Sequence, residues 1–264
     1  MERTQLRSFS LLLLFLCGLP LSAQTHDVSR TWLFGAGSTS LYDAYLSPLD
    51  YRGPSASLMM VNERTARWGC DRVSSMAVLD VDGTYASNAK GNAHDYDAQA
   101  SLGMGWHYNW RPVSAVRIRL GGLAEVSGGG TYSTRNGNNP AQGRCAFDIA
   151  ASTIFDYTFR IRHLQPWQFR ASLDLPLGGL MFSPQFGQSY YELFILGHYD
   201  HNVCATWPVN APSARLLTTL TIPVRHANVV VGYRGEARQS RVNALGRHAW
   251  ANGFIVGFTR NLKF

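Results

Sequence analysis

From Ala98 to Trp110 the chain reads AQASLGMGWHYNW, and its side chains change character at every step. Ala98, Ala100, Leu102, Met104, Trp106, Tyr108 and Trp110 fall on one face, while Gln99, Ser101, Gly103, Gly105, His107 and Asn109 fall on the other. A two-residue period belongs to a pleated strand; a helix would scatter the same residues around its axis. The period recurs in Val116–Ser127, Phe147–Ile161, Trp167–Leu177 and Val229–Ser240, and more loosely in Val73–Tyr85. Ordinary globular strands run for about five to six residues, and these runs are well beyond that. Long alternating strands must either stack as sheets in water or close on themselves, because an open edge invites pairing with other chains.

Alternation alone does not say which face meets water. A soluble sandwich or lipocalin-like barrel turns its apolar side inward, and a membrane barrel turns it outward. The arrangement of the connections favours the membrane. NWRPVSA, RIRHLQPW and IPVRHAN are brief, and Trp106, Tyr108, Trp110, Phe159 and Trp167 gather at the strand ends beside them, as amphipathic rings do at headgroup depth. LYDAYLSPLDYRGP, SNAKGNAHD, STRNGNNPAQGR and the stretch 178–213 are longer and richer in polar residues. The pattern predicts an all-β fold: a transmembrane, antiparallel, up-and-down β-barrel with short periplasmic turns and long outer loops. Strands beginning near Thr31, Ser55, Cys70, Asp95, Val113, Cys145, Trp167, Ser213, Asn228 and Arg247 make ten, and a hairpin around YYELFILG would make twelve. The opposite face carries Asp80, Asp82, Arg117, Arg119, Glu125, Asp148, Asp156, Arg160, Arg170, Asp174, Arg234, Glu236 and Arg238. Mixed charge at that density predicts a lumen filled by salt bridges rather than an open pore, since small barrels are packed by their own side chains.

The two ends agree with export. Arg3 and Arg7, the apolar run Leu11–Leu16, Pro20 and the small pair Ser22-Ala23 form a secretory signal peptide over residues 1–23, cleaved near Ala23, which leaves a barrel domain of 24–264. The run falls far short of the ~20 apolar residues of a spanning helix. At the other end Phe254, Val256, Phe258, Leu262 and Phe264 alternate to the final residue. That row is expected to face lipid on the closing strand, with its terminal phenylalanine resembling the mark by which outer-membrane assembly machinery selects its clients. The expected location is the bacterial outer membrane, and the expected partners are that machinery and outer-membrane lipid or lipopolysaccharide. A net charge of +7 spread over scattered arginines offers no nucleic-acid patch, and a monomer is expected.

Beyond the signal peptide stand Cys70, Cys145 and Cys204, an odd number with no zinc-binding spacing. The topology puts Cys145 and Cys204 at the outer end, so a disulfide would join that pair and leave Cys70 free; no disulfide at all is the equal alternative. In the long loop GHYDHN supplies His198, Asp200, His201 and Asn202, with Ser189, Tyr190, Tyr191 and Glu192 close upstream. Ser189, His198, Asp200 and His201 are the parts from which acyl-transfer chemistry is assembled, although no local nucleophile motif is present. Tyr190, Tyr191, Glu192 and Asn202 are candidate binding groups. His198 and His201 lack a third ligand, so neither metal nor cofactor is expected. His107, among small neighbours, reads as a hydrogen-bonded wall residue.

The phrases WHYNWRPV, TRNGNNPA, MFSPQFGQSYYELF, GHYDHN and RQSRVN together resemble a family of outer-membrane barrel proteins of gut-type Gram-negative bacteria, defined as a domain of unknown function. The resemblance implies the location and the fold and carries no catalytic residues with it. The expectation is a non-catalytic surface protein, structural or ligand-binding, with residues 178–213 as a lid. The alternatives are a barrel hydrolase acting on lipid or peptide through the loop groups, and a narrow small-molecule channel.

Overall fold

Each alternating run folds as a strand, and most strands extend beyond the run that announced them. The computed structural model describes residues 27–66, 72–161, 165–224 and 228–263. The expected signal peptide, Cys70 and Phe264 lie outside the described residues. The strands are β1 (Asp27–Asp43), β2 (Ser47–Thr65), β3 (Val73–Asn88), β4 (His94–Val113), β5 (Val116–Ser133), β6 (Ala141–Phe159), β7 (Trp167–Phe182), β8 (Val203–Thr206), β9 (Ala214–Pro223), β10 (Asn228–Val242) and β11 (Leu245–Lys263). One short helix, α1 (Tyr190–Phe194), lies between β7 and β8.

Neighbours pair antiparallel from β1 through β7, then β7 pairs with β9, β9 with β10, β10 with β11, and β11 with β1. Ten strands therefore close a barrel, and β8 attaches as an extra strand, its Val203–Thr206 opposite Phe182–Gly179 of β7. The seam runs from Asp27 opposite Lys263 to Asp43 opposite Arg247 and leaves no open edge along β1 or β11. At Gly257 the seam is so close that a Cβ would run into the Trp32 carbonyl, which only glycine avoids.

The apolar parity faces outward. Leu102, Met104, Leu120, Val126, Phe147, Ile149, Leu173, Val256 and Phe258 are all exposed on that side. Two aromatic belts bound it. Near the end that carries both termini stand Trp106, Tyr108, Trp110 and the packed group Tyr157, Phe159 and Trp167. Near the opposite, loop end stand Tyr85, Tyr96, Tyr132 and Trp250, with Tyr85 against His94 and Tyr96 and with Trp250 stacked on His248. On β4 the apolar residues between Tyr96 and Trp106 cover about 33 Å of strand at ~3.3 Å per residue, or about 25 Å of height at a ~40° tilt. That height matches the apolar band of a transmembrane barrel. The second belt, at the loop end, was not read from the sequence.

One expectation needs correction, and two open alternatives are decided. Not all outer connections are long: three of them span only 44–46, 89–93 and 243–244. At the last of these Asn243 and Ala244 both have left-handed φ, 50° and 61°, the backbone of a tight hairpin turn. The stretch around Leu41, Leu49 and Tyr51 is strand because these side chains turn inward and pack with Ala86, Ala93 and Ala249. Twelve strands do not form either. YYELF winds into α1, and the four residues of β8 fall short of the ~9–11 that a spanning strand needs. Finally, Cys145 and Cys204 are free thiols. Cys145 sits opposite Phe182 and Cys204 opposite Met181, so β7 lies between them. Two interstrand steps of ~4.8 Å exceed the ~7 Å that a disulfide tolerates between Cα atoms, and the two side chains take opposite faces.

Candidate functional site

The inward parity fills the barrel with charge in three tiers. In the half near the termini, Arg119 lies 3.1 Å from both Glu63 and Asp156, and Arg170 reaches Glu63 at 2.9 Å and Asp156 at 2.7 Å. Arg119 and Asp156 are each only 2% exposed. Arg117 adds a third guanidinium at 3.1 Å from Asp156. At mid-height Arg234 bridges Asp80 and Glu236, each at 2.6 Å, Arg238 holds Asp82 at 3.0 Å, and Arg215 grips Glu125 with two bonds of 2.9 and 3.0 Å. Toward the loop end Arg144 is bonded to Asp97, lies 3.6 Å from Asp43 and donates to Thr131. Strands from all round the wall contribute, so the pairs tie it across the lumen. Beside them an apolar cluster of Leu33, Met59, Val61, Met76, Val78, Leu123, Ile154, Val230 and Ile255 fills the remaining width. The salt-bridged filling is legible in the sequence. The apolar inner cluster is not, because its residues interrupt a parity otherwise polar.

His107 is buried, and its Nε2 lies 2.8 Å from Ser152 Oγ, a wall residue as expected. Asp80, Asp82 and Glu236 bring carboxylate oxygens within 4.8 Å of one another. Arg234 already occupies the position a cation would take between two of them, so the trio is an arginine site rather than a metal site.

Across the loop end lies a cap made from residues 183–202. Ser189 starts α1 as its N-cap: its hydroxyl accepts from Glu192 N–H at 3.2 Å and donates to Glu192 Oε2 at 3.0 Å, while Ser189 N–H donates to the same carboxylate at 2.7 Å. These bonds hold the Glu192 carboxyl below its ordinary range. Leu193 is wholly buried beneath the helix. The cap is pinned at three places. Tyr45 Oη donates to Gln188 O at 2.9 Å, Tyr190 Oη accepts from Gly143 N–H at 2.6 Å, and Asn243 Nδ2 donates to Ser183 O and His201 O at 3.0 Å. Asn202, buried, donates to Ser183 O and Gln188 Oε1 from within.

The candidate catalytic residues thus fall on the cap without assembling. The Ser189 hydroxyl is committed to Glu192, and among the described residues no hydrogen bond joins it to His198, Asp200 or His201. Asp200 and His201 are exposed, the latter with φ of 59° at the turn into β8. Of the candidate binding groups, Tyr190, Glu192 and Asn202 are structural ties, and Tyr191 points into the open.

Burial pushes the Tyr45 phenol up to about 12, from an ordinary value of 10.0. A neutral phenol donates the cap bond, so its contribution is complete below pH 10 and is lost as pH rises through about 12. Tyr45→Phe should remove about 1 kcal/mol of cap stability and raise proteolytic cleavage within 183–202 roughly fivefold at neutral pH. In the wild type the same increase should appear only above pH 10.

Among the described residues lie two sizeable cavities, about 110 Å³ in the loop half and about 170 Å³ in the half near the termini. The smaller is lined by Asp148, Asp174, Pro176, Met181, Trp207 and Arg215, among others; the larger lies between the apolar cluster and Arg170. The loop histidines line neither of these cavities. Their lining comes from strands far apart in sequence, so no local motif announces them.

Among solved structures the chain is similar to the outer membrane protease OmpT from Escherichia coli, with a TM-score of 0.55 and 10% identity over 91% of this chain and 99% of that one. It is also similar to the translocator domain of the autotransporter NalP from Neisseria meningitidis (TM-score 0.45, 10% identity, 97% and 95% covered). A third likeness is to Ail, the attachment invasion locus protein of Yersinia pestis (TM-score 0.32, 8% identity, 89% and 99% covered). The first of these shows the fold of an outer-membrane barrel; identity this low carries no activity with it. Compared with curated protein sequences, the chain matches none. The model of one family, described as protein of unknown function (DUF3316), matches residues 10–264, and to that family the chain belongs.

Proposed function

We propose that the protein is a non-conducting surface protein of the bacterial outer membrane that holds a small ligand beneath its cap. In this reading the signal peptide is removed near Ala23, both termini face the periplasm, and the cap faces outward. The observation that carries it is the lumen: arginine–carboxylate pairs link opposite walls in three tiers, across the path that a channel would need. The bonding of Ser189 within its own helix supports a binding role over hydrolysis. The fold itself is compatible with either, since function resides in sites rather than in barrels.

Planar-bilayer recording on the purified full chain tests the reading. Baseline current at moderate voltage in ~0.15 M salt is expected, and stable conductance steps would overturn it.

A further inference from the structure

The wall has one weak place, and the smaller cavity lies behind it. β9 pairs with β7 only as far as Arg215 opposite Asp174, and with β10 only as far as Ala214 opposite Ala237. β8 resumes the wall higher up, at Gly179–Phe182 of β7. Between them the β7 edge at 175–178 and the β10 edge at 239–242 have no strand alongside among the described residues. The chain crosses this gap as WPVNAPS, Trp207–Ser213, tied to β10 by Arg241 N–H to Asn210 O at 2.7 Å and Gln239 N–H to Ser213 Oγ at 3.3 Å. Pro176, Pro208 and Pro212 stand around the gap, and proline has no N–H to offer a ladder. Trp207 lines the cavity and is also 48% exposed, with Val209 and Leu177 exposed nearby on the outside.

The cavity behind this segment holds two carboxylates that no cation touches directly. Of the three arginines that line it, Arg215 and Arg238 are already paired with Glu125, Glu236 and Asp82, and Arg247 has Asp97 and Asp43 of the loop-end tier for its carboxylate neighbours. Asp148 and Asp174 have no guanidinium or ammonium partner within salt-bridge distance among the described residues. Thr206 Oγ1 donates to Asp148 at 3.4 Å and Ser152 bonds to Asp174, whose Oδ1 is left buried without a hydrogen bond. Pro176, Met181, Ala211 and Trp207 supply an apolar wall opposite these carboxylates. At about 110 Å³ the space is smaller than an engineered cavity of ~150 Å³ that takes benzene, so it encloses an ammonium and a short tail while a small ring rests against half-exposed Trp207.

Building on the non-conducting reading above, we infer that this cavity binds a small lipophilic amine. The ammonium lies between Asp148 and Asp174, the apolar part lies against Trp207 and Met181, and entry is sideways from the outer leaflet past Trp207–Ser213. An ammonium gives these two half-buried carboxylates the close cation that neither has, and an aromatic face adds attraction for a cation.

The test is calorimetric titration of the full chain in detergent with 2-phenylethylamine, phenylacetate and 2-phenylethanol. The amine is expected to bind one-to-one, with the acid and the alcohol weaker by about tenfold or more, the usual scale for one charge-assisted contact. Asp174→Asn and Asp148→Asn should each weaken the amine about tenfold while leaving the alcohol unchanged. Equal binding of amine and acid, or an amine affinity untouched in both variants, overturns the assignment. In bilayers, quenching by nitroxide-labelled lipid should include a component that vanishes in Trp207→Phe and is protected by the amine; its absence overturns the sideways route. A closed bilayer trace with no amine preference sinks this inference alone, whereas a conducting trace sinks the reading beneath it.

Discussion

Replacing Asp156 by alanine should destabilise the barrel by about 3–5 kcal/mol, the usual cost of removing one member of a buried ion network. Asp156 sits 2.7 Å from Arg170 Nε, 3.1 Å from Arg119 Nη2 and 3.1 Å from Arg117 Nε. Without it, Glu63 alone would face both Arg119 and Arg170, and one buried guanidinium would be left without a counter-charge. The Arg119 contact is an ion pair without the alignment of a hydrogen bond, so the loss there is mainly Coulombic. Two comparisons locate the effect. Arg117→Ala removes a side chain 32% exposed and should cost under about 1 kcal/mol. Asp156→Asn keeps the shape and one acceptor and should fall between. The measurement is the temperature at which the folded, fast-migrating band converts to the unfolded one on detergent gels. A transition unchanged in Asp156→Ala would show that water, not the network, solvates these arginines.

A larger effect is expected at Gly257. Its Cβ would meet the Trp32 carbonyl, and behind that the backbone of Trp32 and Leu33, none of which can swing aside. Gly257→Val should cost about 4 kcal/mol or more, beyond the range of ordinary substitutions, and should abolish the heat-modifiable fold. Gly83→Ala is the control. Its Cβ would touch only the Asp97 carbonyl, at 3.9 Å, and the barrel should keep its transition. A Gly257→Val chain that still migrates as a folded barrel would mean that the seam can open without loss of the whole.

The wall was legible and the interior only in part, for a physical reason. Lipid favours apolar residues at outward positions, so the period holds through most of β4, β6 and β11, broken outward only at places such as Thr153, Asn252 and Arg260, and the faces of Leu102, Phe147 and Phe258 follow directly. The lumen makes no such uniform demand. Asp80, Asp156 and Arg234 could be assigned inward because their outward neighbours were apolar, but Glu63, Arg144 and Arg215 lay where the alternation falters. Met59, Val61, Met76 and Val78 hid in runs apolar on both faces. The loop residues are a different case. His198, Asp200 and His201 are close in sequence, yet the chain turns just before them at Gly197 and again at His201, both with positive φ, and among the described residues no hydrogen bond joins them to Ser189. Asp148 and Asp174 were read as two charges among many. That neither has an arginine within salt-bridge distance appears only once the arginines of neighbouring strands are placed.

The β1–β11 seam also orders events in time. Every other barrel pairing joins strands consecutive around the wall, most of them hairpins a few residues apart. The seam alone joins the two ends, with Val28 opposite Leu262 and Thr31 bonded to Thr259 across 228 residues. Closing so long a loop costs more entropy than forming any hairpin and is recovered only once the rest of the wall holds the ends near each other. The barrel should therefore zip shut last along this line. Until it does, the first and last strands are the two with unsatisfied backbone, which makes them the part of the growing wall that another protein could hold.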